Sequence, residues 1–454
     1  KKPLDFGIGR LSASVMPDGL ICSVNGSHSK HGFITLSHIE QMPDGKWYDT
    51  EFVRAYRERI ATANSGFGML ASTAKSNAYL APEPLFAYES EQGEIISAFN
   101  AQHIEGEDVC VQRLLLRNKS ETPLNFPLNI GGRLNLTRCS YGQLTERGPI
   151  PIPTAQNLLT VKNNRITICN ENLDARADLL VFDGEKPLQL ATEKLEQADP
   201  INYMHTVEIV VQPGETKMFT LLITMGEGQG LRLNDDAIQQ LSLPDVPTSS
   251  QLPADETDWT ELVIQRNLDY ILSCCAIPVG KDSICIMTDH QLLPLSWNRD
   301  AYYQLELLRA CYAEAKPALK LKIQTVIKGH LLWMFEDAQR PEEYWGRAYL
   351  VNGVSKDQVF QLDQQCYPLL ELCEYFEQFG DADTVRRSIP VLKDILVMLE
   401  DYRDKEHWLY ETGETPADDD VIYPYHFSSQ VLVWHTFTHL HRLNQKFHFV
   451  GCKL

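Results

Sequence analysis

At 454 residues the chain is too long for one ordinary core, so two domains are expected. Its composition, 43% hydrophobic and 22% charged, is that of a soluble globular protein, and no apolar run approaches the roughly 18 residues needed to span a bilayer. A formal net charge of −20 argues against nucleic acid and anionic membrane surfaces as partners, since both would repel it, whereas an uncharged substrate is compatible.

The chain opens Lys1-Lys2-Pro3 without a methionine or an apolar signal core, so any signal peptide is expected to be already removed or never present. Up to residue 228 the pattern is strand and turn. Residues 207–224 alternate and then run apolar around a Pro213-Gly214 turn, and short apolar runs recur at 124–136, 165–169 and 178–182. Gly, Asn and Pro punctuate them, which predicts a mostly antiparallel β-sandwich over 1–228. Three sequons, at Asn25, Asn118 and Asn135, fall in this part, as chance would supply in a long chain. Residues 229–256 are polar and rich in Pro and Ser around a short apolar piece, and read as an interdomain linker.

From residue 257 the apolar period becomes helical. Six helices are predicted, over 257–275, 298–314, 317–336, 363–379, 382–403 and 428–444. Short connections at 314–317 and 379–382 make hairpins. The long ones, 337–362 and 404–427, are rich in Trp, Tyr, Asp, Glu and Gly, the composition from which a pocket is built. The eleven cysteines include no Cys-x-x-Cys, and Cys311, Cys366 and Cys373 lie on apolar helix faces. They read as small buried hydrophobes in a reducing, cytoplasmic compartment; no metal or cofactor is implied.

Three constellations carry chemistry. In the first, Trp297, Arg299 and Asp300 open a helix, offering an aromatic face, a forked donor and an acceptor, as a hydroxyl-rich ligand requires. The bland alternative is a helix-start ion pair with Trp297 in the core. The second places Trp345, Arg347 and Tyr349 in a loop before Asp363, where Asp363 is either a sugar contact or the N-cap. The third, residues 407–434, carries Glu411 and Glu414 beside Trp408 and Tyr410, then the triplet Asp418-Asp419-Asp420. Glu411 follows Trp408-Leu409-Tyr410 directly, so partial desolvation and a raised pKa are expected there, while Glu414, in a turn-like setting, is expected to be open to water. The triplet reads as a surface loop or a cation site.

These segments resemble the six-hairpin glycosidases, in particular the glucoamylase group with its debranching relatives. The matching residues are Trp297, Arg299, Asp300 and Ala301; Gln361, Leu362 and Asp363; and Leu409, Tyr410 and Glu411 followed by Phe427-Ser428-Ser429. Tyr410 stands where the family has Trp, and Thr412 where it has a second Glu. The resemblance implies an N-terminal β-sandwich followed by an (α/α)6 toroid, of which about half would lie within 257–454. It further implies an exo-acting, inverting hydrolase that frees glucose from α-glucans. Glu411 would be the general acid, with the sugar held by Trp297, Arg299, Asp300, Trp345, Arg347, Asp363, Tyr410 and Glu414. The family's catalytic base follows a later helix, so it is expected beyond Leu454, in a longer protein. A mannosidase- or trehalase-like exo-enzyme, a non-catalytic carbohydrate-binding protein, and a helical toroid for isoprenoid diphosphates are the competing functions.

Overall fold

In the computed structural model the described residues are 4–15, 21–37, 67–68, 75–79, 83–138, 156–197, 201–228, 233–242, 258–290 and 294–451. They form two compact units that divide at Cys274/Cys275.

The first unit is built from antiparallel sheets. One has seven strands, running Leu4–Gly7, Leu11–Val15, Ile21–His28, Gly32–Ser37, Leu124–Arg138 and Ile201–Val211 in spatial order, with Phe67–Gly68 beside the fifth. The other has ten and includes Gly93–Ile104, Glu107–Asn118, Arg165–Asn170, Ala175–Asp183 and Thr216–Glu227. Side chains alternate across a strand, and one hydrophobic cluster draws on both sheets, with Phe6, Val24, Ile34 and Ile130 from one and Phe86, Phe99, Leu179 and Leu221 from the other. The Pro213-Gly214 turn does not close a hairpin. Its two flanking strands belong to different sheets, so it carries the chain from one to the other. In the long strand Leu124–Arg138 a glycine is obligatory: Gly131 has φ 113°, and a Cβ there would lie 2.4 Å from the Tyr203 carbonyl. Asn25, Asn118 and Asn135 are buried, which leaves none of the three open to a glycan in the folded unit.

Of the stretch expected to link the domains, residues 229–232 and 243–256 lie outside the described residues. The remainder, 233–242, packs on the sheet. Leu233, Ala237 and Ile238 are buried against Ile104, Val109, Leu180, Phe182 and Leu222, with a short 3-10 turn at Asp235–Gln240.

Among the described residues the α-helices are α1 (Trp259–Tyr270), α2 (Asn298–Tyr312), α3 (Pro317–Leu332), α4 (Leu362–Phe379), α5 (Ala382–Asp401) and α6 (Phe427–Phe447). The contact division leaves α1 with the sheet unit and α2–α6 in the second. Their limits follow ordinary capping rules. Asp258 accepts from the Thr260 and Glu261 amides to start α1. Pro317 occupies the first turn of α3. Gly380, with φ 68°, ends α4, and Asp381 caps α5 through the Asp383 and Thr384 amides. Helix α4 is buried nearly all round, its polar Asp363, Gln364, Gln365, Glu371 and Glu374 included, and it packs against α2, α3, α5 and α6. A small sheet of Ser296–Trp297, Ala348–Tyr349 and Ser355–Asp357 ties the entrance of α2 to the loop before α4.

Candidate active site

Pairing of Trp297 with Ala348 sets Arg347 beside the Trp297 ring, its guanidinium 5.3 Å from the ring centre. Both residues are buried. In the first turn of α2, Arg299 forks: Nη1 donates to Asp363 Oδ2 at 2.9 Å and Nη2 to Asp418 Oδ1 at 3.2 Å. Its backbone N–H donates to Gln364 Oε1 at 3.1 Å. The starts of α2 and α4 and the loop before α6 therefore meet at one point.

Asp363 is not the cap of α4. Gln361 holds that position, without a side-chain capping bond. The α4 amide of Leu362 is satisfied instead by Thr412 Oγ1 at 3.2 Å, from the distant loop. Burial pushes the Asp363 carboxyl up, opposed by Arg299. Asp300, half-buried at the side of Arg299, is likewise pushed up by burial and drawn down by that cation. Arg299 is opposed by burial, but Asp363 and Asp418 hold its charge more firmly than usual.

The loop 407–426 arranges its acids differently from the sequence expectation. Glu411 is exposed, whereas Glu414 is buried at 7% exposure. Glu414 Oε2 accepts from Arg347 Nη1 at 2.8 Å and from Gln361 Nε2 at 2.7 Å. Burial raises the Glu414 pKa, and Arg347 opposes that rise. The desolvation expected at Glu411 thus falls on Glu414. The cause is the backbone. Thr412 Oγ1 binds the start of α4 and the Glu414 carbonyl, and a bridge between Glu414 and Asp420 turns the Glu414 side chain inward. The aromatic residues that were to cover Glu411 face elsewhere. Trp408 is 70% exposed and stacks on Arg403, 4.4 Å from ring to guanidinium. The Tyr410 ring packs on Phe437, its backbone pairs both ways with the Gln430 amide on α6, and burial pushes its hydroxyl up to about 12.

Trp345 is a further correction. It is fully buried, donates from Nε1 to the Met334 carbonyl at 3.2 Å, and packs edge-on against Phe335. Gln365 brackets its backbone from α4. An indole so enclosed is core and offers no face to a ligand. Tyr349, equally buried, donates to the Gln339 carbonyl.

Asp418 and Gln361 complete the cluster. Gln361 Nε2 donates to Asp418 Oδ1 at 2.8 Å as well as to Glu414, and Arg347 lies 3.7 Å from Asp418. Asp419 and Asp420 are exposed. Among the described residues no group of His, Cys, Asp and Glu side chains is arranged to hold a metal ion. The signal for Asp418 in the sequence was only its triplet, because its partners lie 57 to 119 residues away.

An antiparallel sheet unit followed by helix hairpins is the arrangement of six-hairpin glycoside hydrolase-like structures, and this chain has that fold. It superposes on a bacterial glucoamylase complexed with acarbose with a TM-score of 0.50 and 10% sequence identity, covering 98% of this chain and 64% of that one. A putative kojibiose phosphorylase from the human microbiome gives a TM-score of 0.49 at 10% identity, over 99% of this chain and 64% of that one. A metal-independent alpha mannosidase from Streptococcus pneumoniae gives 0.33 at 16% identity, over 43% of this chain and 54% of that one. The chain thus spans less than two thirds of the length of these structures. No family model matches it, and no curated protein does.

Proposed function

We propose that the protein is an exo-acting glycosidase that releases glucose, with inversion, from the non-reducing end of α-glucans, and that its helix hairpins belong to an (α/α)6 toroid. The observation that carries this reading is the Arg299 fork, held rigid between Asp363 and Asp418 with Asp300 alongside and with an edge still open to solvent. A preorganised cation flanked by acceptors suits the vicinal hydroxyls of a terminal sugar. Arg299 and Asp300 grip those hydroxyls; Trp297, buried with its indole N–H unmatched, lines the same corner.

Glu411 is the proposed general acid. Of the two loop glutamates it is the one open to an incoming glycosidic oxygen, while Glu414 is committed to Arg347 and Gln361. Bound substrate is then what shields it from water. An inverting reaction also needs a base activating water on the opposite face of the sugar, a role assigned to no described residue. The buried cysteine thiols are compatible with a reducing, cytoplasmic setting.

The test is a sugar-release screen on the intact protein with a panel of α-linked disaccharides, following the product anomer by NMR. Glu411→Gln is expected to cut turnover by about 10² to 10⁴-fold with little change in affinity, and an activated leaving group should restore much of the loss. That pattern in Glu414→Gln, with Glu411→Gln near wild type, would move the acid by three residues. Release of mannose or cleavage of trehalose alone would change the sugar, and binding without turnover in every assay would make this a carbohydrate-binding protein.

A further inference from the structure

The cap position of α4 is filled by glutamine, a poor capping residue, and its amide points away from the helix it precedes. Gln361 is fully buried, and its Nε2 reaches Glu414 Oε2 at 2.7 Å, Asp418 Oδ1 at 2.8 Å and, at 3.4 Å, the Thr415 carbonyl. Its Oε1 accepts from Gln364 Nε2 at 3.2 Å, which fixes which end of the amide faces the loop. Gln364 Oε1 accepts from the Arg299 backbone at 3.1 Å, and Arg299 Nη2 returns to Asp418 Oδ1 at 3.2 Å. The circuit closes: Arg299 backbone, Gln364, Gln361, Asp418, Arg299 side chain. Meanwhile the first amide of the helix, that of Leu362, donates to Thr412 Oγ1 from the same loop. Helix α4 and residues 412–418 are thus tied twice, the start of the helix donating and the loop accepting each time. Asp418 has φ 64°, in the left-handed region that Asp enters more readily than most side chains.

Resting on the glycosidase reading above, we propose that Gln361 and Asp418 are positioning residues, which hold the acid-bearing loop in register with the hydroxyl-binding arginine. Neither delivers a proton. Gln361 contributes N–H donors to two carboxylates, Glu414 and Asp418, that also share the Arg347 guanidinium, and Asp418 transmits that anchorage to Arg299. The loop that carries Glu411 and the fork that holds the sugar then move as one body, and a displacement of about 1 Å between catalytic group and substrate is enough to cost about 10²-fold in rate.

The experiment replaces Gln361 by Glu in the intact protein, which keeps the shape but turns a donor into a third carboxylate. Hydrogen exchange comes first, because it is independent of any activity. The amides of Thr415, Asp418 and Val421, bonded within the loop to Asp419, Thr415 and Gly413, are expected to exchange faster, with the α4 amides unchanged. Wild-type exchange in that loop overturns the proposal, whatever the protein does to sugars. Kinetically, kcat is expected to fall about 100-fold with KM little changed, and a glycoside with an activated leaving group should be less affected. A loss as large on the activated substrate would show a general structural defect and sink the register argument. The double variant Gln361→Glu, Asp418→Asn exchanges donor and acceptor while leaving the cluster's charge unchanged, and should recover both loop protection and part of the turnover. Failure of the double variant to recover either one counts against the circuit. If wild type processes no glycoside yet the exchange results appear as described, the register stands and the glycosidase reading fails.

Discussion

Each unit holds an arginine–carboxylate network, and the two are wired differently. In the sheet unit Asp178 is fully buried and accepts from Arg165, Arg176 and Thr167, all within 13 residues of it on two paired strands. In the helical unit Arg299 joins Asp363 and Asp418 across 64 and 119 residues, and both Arg299 and Asp418 keep an edge in solvent, at 18% and 32% side-chain exposure. Asp178 is enclosed by partners that the sheet register delivers, so its network braces the strands. The Arg299 network is assembled from loops and helix starts, and its Asp418 carboxylate stays partly exposed, which on the proposed reading is where a ligand's hydroxyls enter. The contrast teaches that the ionic character of a cluster does not reveal its role; the span of chain it gathers, and whether all its carboxylates are buried, do.

The contrast can be broken most sharply at Arg347. This fully buried cation is the charge partner of buried Glu414, so Arg347→Met should lower stability by about 3–5 kcal/mol, read from denaturant unfolding, because the remaining carboxylate is left uncompensated. Adding Glu414→Gln to that variant should return much of the loss. If Arg347→Met is as stable as wild type, the pair is not the anchor of this loop.

Asp300→Ala acts on function. On the proposed reading it should weaken sugar binding by about 2–5 kcal/mol in calorimetry with the fold intact, since Arg299 then faces the sugar without its neighbour. Unchanged affinity would remove Asp300 from the subsite. Asp178→Asn is its counterpart in the closed network: a stability loss of about 1–3 kcal/mol and no change in sugar affinity. Equal effects of both substitutions on affinity would erase the distinction between the two networks.

The smallest effect is one of pH. Burial, partly offset by Arg309, raises Glu374 on α4 from 4.5 to about 7. The folded state therefore keeps a proton that the unfolded chain has released, and this contribution to stability is complete below pH 4.5 and fades as pH rises to about 7. Unfolding measured across that window should show stability falling with pH, and Glu374→Gln should flatten the slope. An unchanged slope would assign the dependence to the other buried carboxyls, such as Glu371, also raised by burial.

Much of the fold was legible because its signals are local. The period of apolar residues marked all six helices to within a few residues, as at α3, read as 317–336 and found at Pro317–Leu332 with a wider turn to Asp337. Proline, glycine and aspartate marked several of the ends. Arg299 and Asp363 were each marked as candidates at a helix start, but their pairing across 64 residues was not legible.

What composition and spacing could not supply was solvation. Trp345 reads as a polar-tipped loop aromatic, yet α4 encloses it through Gln365. Glu411 and Glu414 stand three residues apart in similar company, and only the tie from Thr412 to α4 and the bridge to Asp420 decide that Glu414 turns inward and Glu411 out. Helix and strand formation depend on neighbours a few residues away, so the sequence by itself determined the elements, their order and the candidate segments. Burial and ion pairing depend on which distant segments arrive, so the tertiary structure alone decided which carboxylate is enclosed, which aromatic is core, and that Asp418 meets Arg299.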